Sequence, residues 1–96
     1  MATPVSYAKA IKPLFRQVDI DHMRPYGVNL ADYAWMSAAA GGSIGSCDEF
    51  PDHANARSVY AFLTGDCTPR MPLGGPYWHD DMLDLYQRWM DGGFQP

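Results

Sequence analysis

The stretch from Asp80 to Asp91 constrains the fold most strongly. Within it Met82, Leu85, Tyr86 and Trp89 recur at spacings of three and four, so a helix carries all four on one face. His79 or Asp80 supplies the cap, and Gly92-Gly93 ends the segment. An isolated helix cannot bury such a stripe; it needs a second layer to pack on. No run in the chain alternates convincingly enough to serve as a strand, so the second layer must also be helical. The expected class is all-α, a small bundle of four or so helices joined by long Pro/Gly-rich loops, with residues 1–96 as a single domain.

The other helices are shorter. Tyr7, Ile11, Leu14, Phe15 and Val18 recur at helical spacing and place a first helix from about Ser6 to Gln17, with Ser6 as N-cap. Pro13 lies inside it, so the helix either kinks or restarts with Pro13 in a new first turn. From Val18 to Val28 the pattern is irregular, and Pro25 and Gly27 mark a turn that leads to Asn29. Asn29 reads as the N-cap of a second helix from Leu30 to Met36, before the breaker pair Gly41-Gly42. Ser43 to Phe50 is a loop holding Cys47. Pro51 and Asp52 then open a third helix through about Leu63, with Val59, Phe62 and Leu63 on its buried side and Gly65 at its end. Asp66 to Trp78 contains Pro69, Pro72, Gly74, Gly75 and Pro76, too many breakers for helix or ladder.

Charge and composition exclude several function classes. Seven basic and eleven acidic side chains give a net charge of -4 with no basic stripe. Phosphate-backbone binding needs such a stripe, so nucleic acid is not an expected partner. Apolar runs are too short to span a bilayer, and Met1-Ala2-Thr3-Pro4 lacks the features of a secretory signal. The expected location is cytoplasmic, or periplasmic for a trimmed mature form. Cys47 and Cys67 are expected to be free thiols in a reducing compartment. In an oxidising one they could pair across a loop of about 20 residues, worth about 3 kcal/mol in the loop-entropy model. Neither has further Cys or His at zinc-ligand spacing.

Three stretches together resemble class I c-type cytochromes: Tyr7-Ala8-Lys9-Ala10-Ile11-Lys12-Pro13-Leu14-Phe15, the loop Gly65 to Gly75 with Met71-Pro72, and the closing helix Met82 to Met90. In that family the first helix leads into a C-x-x-C-H heme attachment site, and a later Met-Pro supplies the second axial ligand. The resemblance places Val18 and Asp21 where the two anchoring cysteines would stand, His22 at the proximal ligand and Met71 at the distal one. No C-x-x-C-H occurs in the chain, so covalent heme attachment is excluded.

Two cofactor states stay open. In a heme-free module, apolar side chains must fill the vacated space, because a heme-sized void would be destabilising at about 24 cal/mol per Å³. Trp35, Met36, Tyr60, Trp78 and the loop around Cys47 are the candidates. Alternatively, heme binds noncovalently through His22 and Met71. Each residue also has a plainer reading: His22 as a solvent-facing or capping side chain, Met71 as a core plug.

Asp19, Asp21 and His22 form a candidate O/N metal cluster in the vacated anchor segment. His79-Asp80-Asp81 is better explained by helix capping and the macrodipole. No nucleophile–base or phosphate-loop signature accompanies these residues, so enzymatic chemistry has little support. The expected function is a heme-free, cytochrome c-like binding or accessory module with a protein partner. Noncovalent heme electron transfer stands second, and a small metal-dependent enzyme or metal carrier third.

Overall fold

A computed structural model of the chain describes residues 5–39, 50, 52–68, 70–72 and 75–96. It is helical, with no strand among the described residues. The α-helices are α1 (Gln17–Met23), α2 (Tyr33–Met36), α3 (Ala54–Thr64) and α4 (Asp80–Asp91). A π-helical turn (Tyr7–Ile11) and two 3-10 turns (Lys12–Leu14 and Arg24–Tyr26) complete the element order. The Cα radius of gyration is 12.4 Å, close to the roughly 12.5 Å expected of a compact chain this long.

The N-terminal helical segment begins as its sequence indicates. Ser6 caps it, accepting a hydrogen bond from the Lys9 N–H at 3.3 Å. Pro13 cannot donate to the turn before it, and the helix re-forms at Lys12 as a 3-10 turn with Pro13 in its first positions. Phe15 is extended and ends this turn, so the segment stops short of Gln17.

The stretch read as irregular is helical up to Met23. Arg16 and Asp19 form a capping box at its start: the Arg16 backbone N–H donates to Asp19 Oδ2 at 3.2 Å, and the Asp19 and Ile20 N–H groups donate back to the Arg16 carbonyl. Ile20 is the buried anchor of α1. An arginine at the cap hides this start from a search for Ser, Thr, Asp or Asn. The turn at Pro25 and Gly27 is present, with Gly27 in the left-handed region at φ 78°.

Helix α2 begins later than Leu30. Asp32, not Asn29, caps it, accepting from the Ala34 N–H at 3.0 Å. Helix α3 is the central element: Ala54, Asn55, Ala56, Ser58, Val59, Ala61 and Leu63 are all buried, and Gly65 closes it at φ 90°. It packs against α2 and α4, and α4 packs against the N-terminal π-turn. The loop around Cys47 lies outside the described residues.

Aromatic rings hold the centre. Tyr7 and Trp89 meet at 5.0 Å between centroids, Trp89 and Tyr86 at 5.3 Å edge-on, and Tyr86 stacks on Tyr60 at 5.5 Å. Burial of a ring the size of Trp89 removes about 200 Å² from water, an upper estimate of about 5 kcal/mol. Three of the buried aromatic side chains anchor their polar tips on backbone carbonyls. The Tyr86 hydroxyl donates to the Ala56 carbonyl at 2.8 Å, the Trp89 indole N–H to the Gln95 carbonyl at 2.9 Å, and the Tyr7 hydroxyl to the Leu30 carbonyl. The Tyr7 N–H also donates to the Gln95 carbonyl at 3.0 Å, which ties the first helical turn to the chain beyond α4.

Candidate functional site

Most of the hydrophobic residues pack into this core, but one side of the molecule is left hollow. A cavity of about 530 Å³ lies between α1, α3 and the segment after α3, within the range of about 300–1,000 Å³ usual for small-molecule sites. Helix α3 contributes Val59, Phe62 and Leu63 to its wall; Phe15, Val28, Leu30 and Trp78 close it from other segments. Val18 and Tyr26, 61% and 71% exposed, also line it and therefore stand at its mouth.

His22 and Met71, far apart in sequence, line this same cavity. His22 sits in the last turn of α1 with its ring 6.1 Å from that of Tyr26, and its side is solvent-facing. Met71 is half-buried; its N–H donates to the Phe62 carbonyl at 2.9 Å, which fixes the segment to the end of α3. Arg70 secures the same segment: its Nε donates to the Leu63 carbonyl at 3.3 Å, and its guanidinium lies 4.5 Å over the Tyr77 ring.

The metal candidates do not converge. Asp19 and Asp21, two residues apart on one helix, point about 200° apart around its axis. The Asp19 carboxylate is held by Arg16, with Nη2–Oδ1 at 2.8 Å and Nε–Oδ2 at 3.0 Å. Asp21 accepts from the Gln17 amide at 2.9 Å and lies 3.5 Å from Arg24. Among the described residues no three His, Cys, Asp or Glu side chains are placed to share an ion. Asp19 lines the cavity alongside His22; Asp21 does not.

Of the side chains named as candidates to fill a heme-sized space, only Trp78 lines this cavity among the described residues. Met36 is fully buried in the core, and Trp35 and Tyr60 pack against that core outside the cavity lining. The reason is geometric: α2 faces α3 on the side of Asn55, whose amide donates to the Trp35 carbonyl at 2.9 Å, so α2 side chains cannot reach across α3. Cys67 is buried and disulfide-bonded, one of the two states the sequence leaves open for it; Cys47 lies outside the described residues.

Comparison of the chain with protein-family models, with curated proteins and with solved structures finds no match. The site therefore has to be read from its own chemistry. Its walls are mostly apolar, and among the described residues the polar side chains on them are Arg16, Asp19, His22 and Thr68, with the Tyr26 hydroxyl and the Trp78 indole N–H on the aromatic ones. Neither a nucleophile–base pair nor a convergent acid pair is among them. No helix of the described residues is long and apolar enough to cross a membrane.

Ionisation elsewhere follows burial and pairing. Burial, and next the charge of Asp32, pushes the Tyr7 phenol well above the ordinary range. Burial also raises Tyr86, with Tyr7 as the smaller cause. The hydrogen bond from His53 Nδ1, 2.8 Å away, lowers Asp52, and Arg57 adds to this. The Asp19 hydrogen bonds hold Arg16 above its usual range.

The sequence reading named His22 and Met71 but missed Arg16, Thr68 and Tyr26 as parts of the site. The Arg16/Asp19 spacing of three on a helix was the available signal. Tyr26 carried none, because its place at the mouth depends on the Arg24–Tyr26 turn.

Proposed function

We propose that the chain is a heme-free, cytochrome c-like binding module whose binding site is the apolar cavity beside α1. One observation carries this reading: about 530 Å³ of apolar-walled space lies beside the buried aromatic core. It opens to solvent past Val18 and Tyr26, so it is a cleft that a ligand can enter rather than a sealed void. A space of that kind is held by solvent or by a ligand. The exposed Val18 and Tyr26 at its mouth extend the apolar surface outward and suit a ligand delivered or shared by a partner protein.

A second reading is noncovalent heme electron transfer. It is favoured by His22 and Met71 lining one cavity, the two side-chain types that can serve as axial ligands. The donor set fits heme, which would supply the redox chemistry when bound. The cavity rim fits it less well, because Arg16 is already paired with Asp19 and leaves the two propionates without a cation.

Titration with Nile red and with hemin, followed by fluorescence and absorption, tests both readings. Saturable Nile red binding that a larger side chain at Val59 weakens supports the binding module. A sharpened Soret band that is lost in Met71→Ala supports heme ligation. Binding of neither compound sinks both readings.

A further inference from the structure

The polar chemistry of the cavity narrows the class of ligand. Among the described residues of its lining, Arg16 is the sole Lys or Arg and Asp19 the sole carboxylate. They are joined fork to carboxylate, with Nη2–Oδ1 at 2.8 Å and Nε–Oδ2 at 3.0 Å, and the Arg16 backbone N–H adds a third contact to Oδ2 at 3.2 Å. The two partners are unequally placed: the Asp19 side chain is 13% exposed, the Arg16 side chain 47%. The carboxylate is thus the inner member of the pair, and the cation is spent on it.

We propose that the cavity selects neutral apolar ligands over anionic amphiphiles, and that the Asp19 carboxylate sets this selectivity. The inference rests on the cavity being a binding site. An incoming carboxylate has two options. It can displace Asp19 from the Arg16 fork, which leaves a mostly buried carboxylate with only a backbone N–H. Or it can lie unpaired beside Asp19, where like charges oppose binding. A neutral alcohol, ketone or hydrocarbon meets neither cost. Thr68 and His22 remain on the lining to hydrogen-bond a neutral polar end.

Competition between Nile red and a pair of equal-length ligands, 1-decanol and decanoate, measures the selectivity. The assay is run at pH 8, where decanoate is fully ionised. The quantity read is the alcohol-to-acid affinity ratio in the wild-type protein and in two variants, so the ordinary preference of any apolar site for the alcohol cancels. Asp19→Asn keeps an oxygen to accept the Arg16 N–H and frees the guanidinium; the ratio is expected to fall at least about ten-fold, with decanoate gaining. Arg16→Gln leaves the carboxylate without its cation, and the ratio is expected to rise. A ratio unchanged within roughly two-fold in both variants overturns the selectivity while leaving the binding site intact. If the wild-type protein binds no Nile red, the cavity takes no neutral apolar ligand, and the binding-module reading falls together with the selectivity.

Discussion

Enlarging Val59 to Phe tests the cavity directly. Val59 is buried on α3 and faces the hollow side. In a core packed at ordinary interior density, the larger side chain would force rotamer and backbone shifts worth about 1–3 kcal/mol of destabilisation. Here about 530 Å³ stands in front of the residue, far more than one ring needs. The added ring displaces solvent and gains apolar contact, at about 0.8 kcal/mol per buried CH₂ equivalent. Part of that gain is lost to the rotamer entropy of a larger side chain, about 0.5–1 kcal/mol. The net expectation is a stabilisation of about 0.5–2 kcal/mol, seen as a rise in Tm of about 4–8 °C for each kcal/mol. Urea unfolding followed by far-UV circular dichroism reads the free energy, and a weakened Nile red signal reads the narrowing of the site. A destabilisation greater than about 1 kcal/mol would refute the reasoning, since it would mean that the space in front of Val59 is already filled.

Three further outcomes follow from the core. Tyr7 and Tyr86 are held neutral by burial, so above the ordinary phenol range, about pH 10, the unfolded chain sheds protons that the folded chain keeps. Stability is therefore full below pH 10 and falls above it by up to about 1.4 kcal/mol per pH unit per tyrosine; urea unfolding at stepped pH should show that slope roughly halved in Tyr86→Phe. Ser58 is buried, and its hydroxyl has no hydrogen-bond partner among the described residues. Ser58→Ala is expected to be neutral or to stabilise by about 1 kcal/mol, and a loss of that size in chemical denaturation would show that the hydroxyl is paired. The bridge that Cys67 carries should be worth about 3 kcal/mol if it closes the loop of about 20 residues that the chain's two cysteines permit. A Tm that does not drop on reduction, or in Cys67→Ser, contradicts this.

Helices announced by a stripe and by ordinary punctuation were legible. Helix α4 runs between the residues its stripe and glycines mark, and α3 ends at Gly65 as read. Helix α1 was missed because its start uses an arginine and a reciprocal Asp19 contact, and because only Ile20 is fully buried, too little to make a periodic pattern. Helix α2 shrank because Asp32, three residues after Asn29, offers the better cap once Leu30 is anchored in the core. The site divides the same way. His22 and Met71 could be singled out in advance, whereas the cavity itself is a property of how α3 is shared between two neighbours. Periodicity cannot show that α2 would occupy one side of α3 and leave the other bare.

The same division bears on how the two readings of the site relate. A cytochrome-like chain that merely lost its anchoring cysteines would be expected to keep the polar fittings of its cofactor along with the His and the Met. A chain that had fully replaced its cofactor by side chains would be expected to have no hollow. This chain meets neither expectation: a hollow is present, yet the one Lys or Arg among the described residues of its lining faces a carboxylate on the same helical turn. Val18 at the mouth is apolar and exposed. Arg16 and Asp19 therefore separate the alternatives better than His22 and Met71 do. The ligand pair is compatible with heme or with its absence, while a neutralised rim favours an uncharged guest. If Asp19→Asn were found to strengthen hemin binding together with decanoate binding, the carboxylate would be acting as a filter against anions of both kinds, and the His and Met would be part of the wall that a neutral ligand meets.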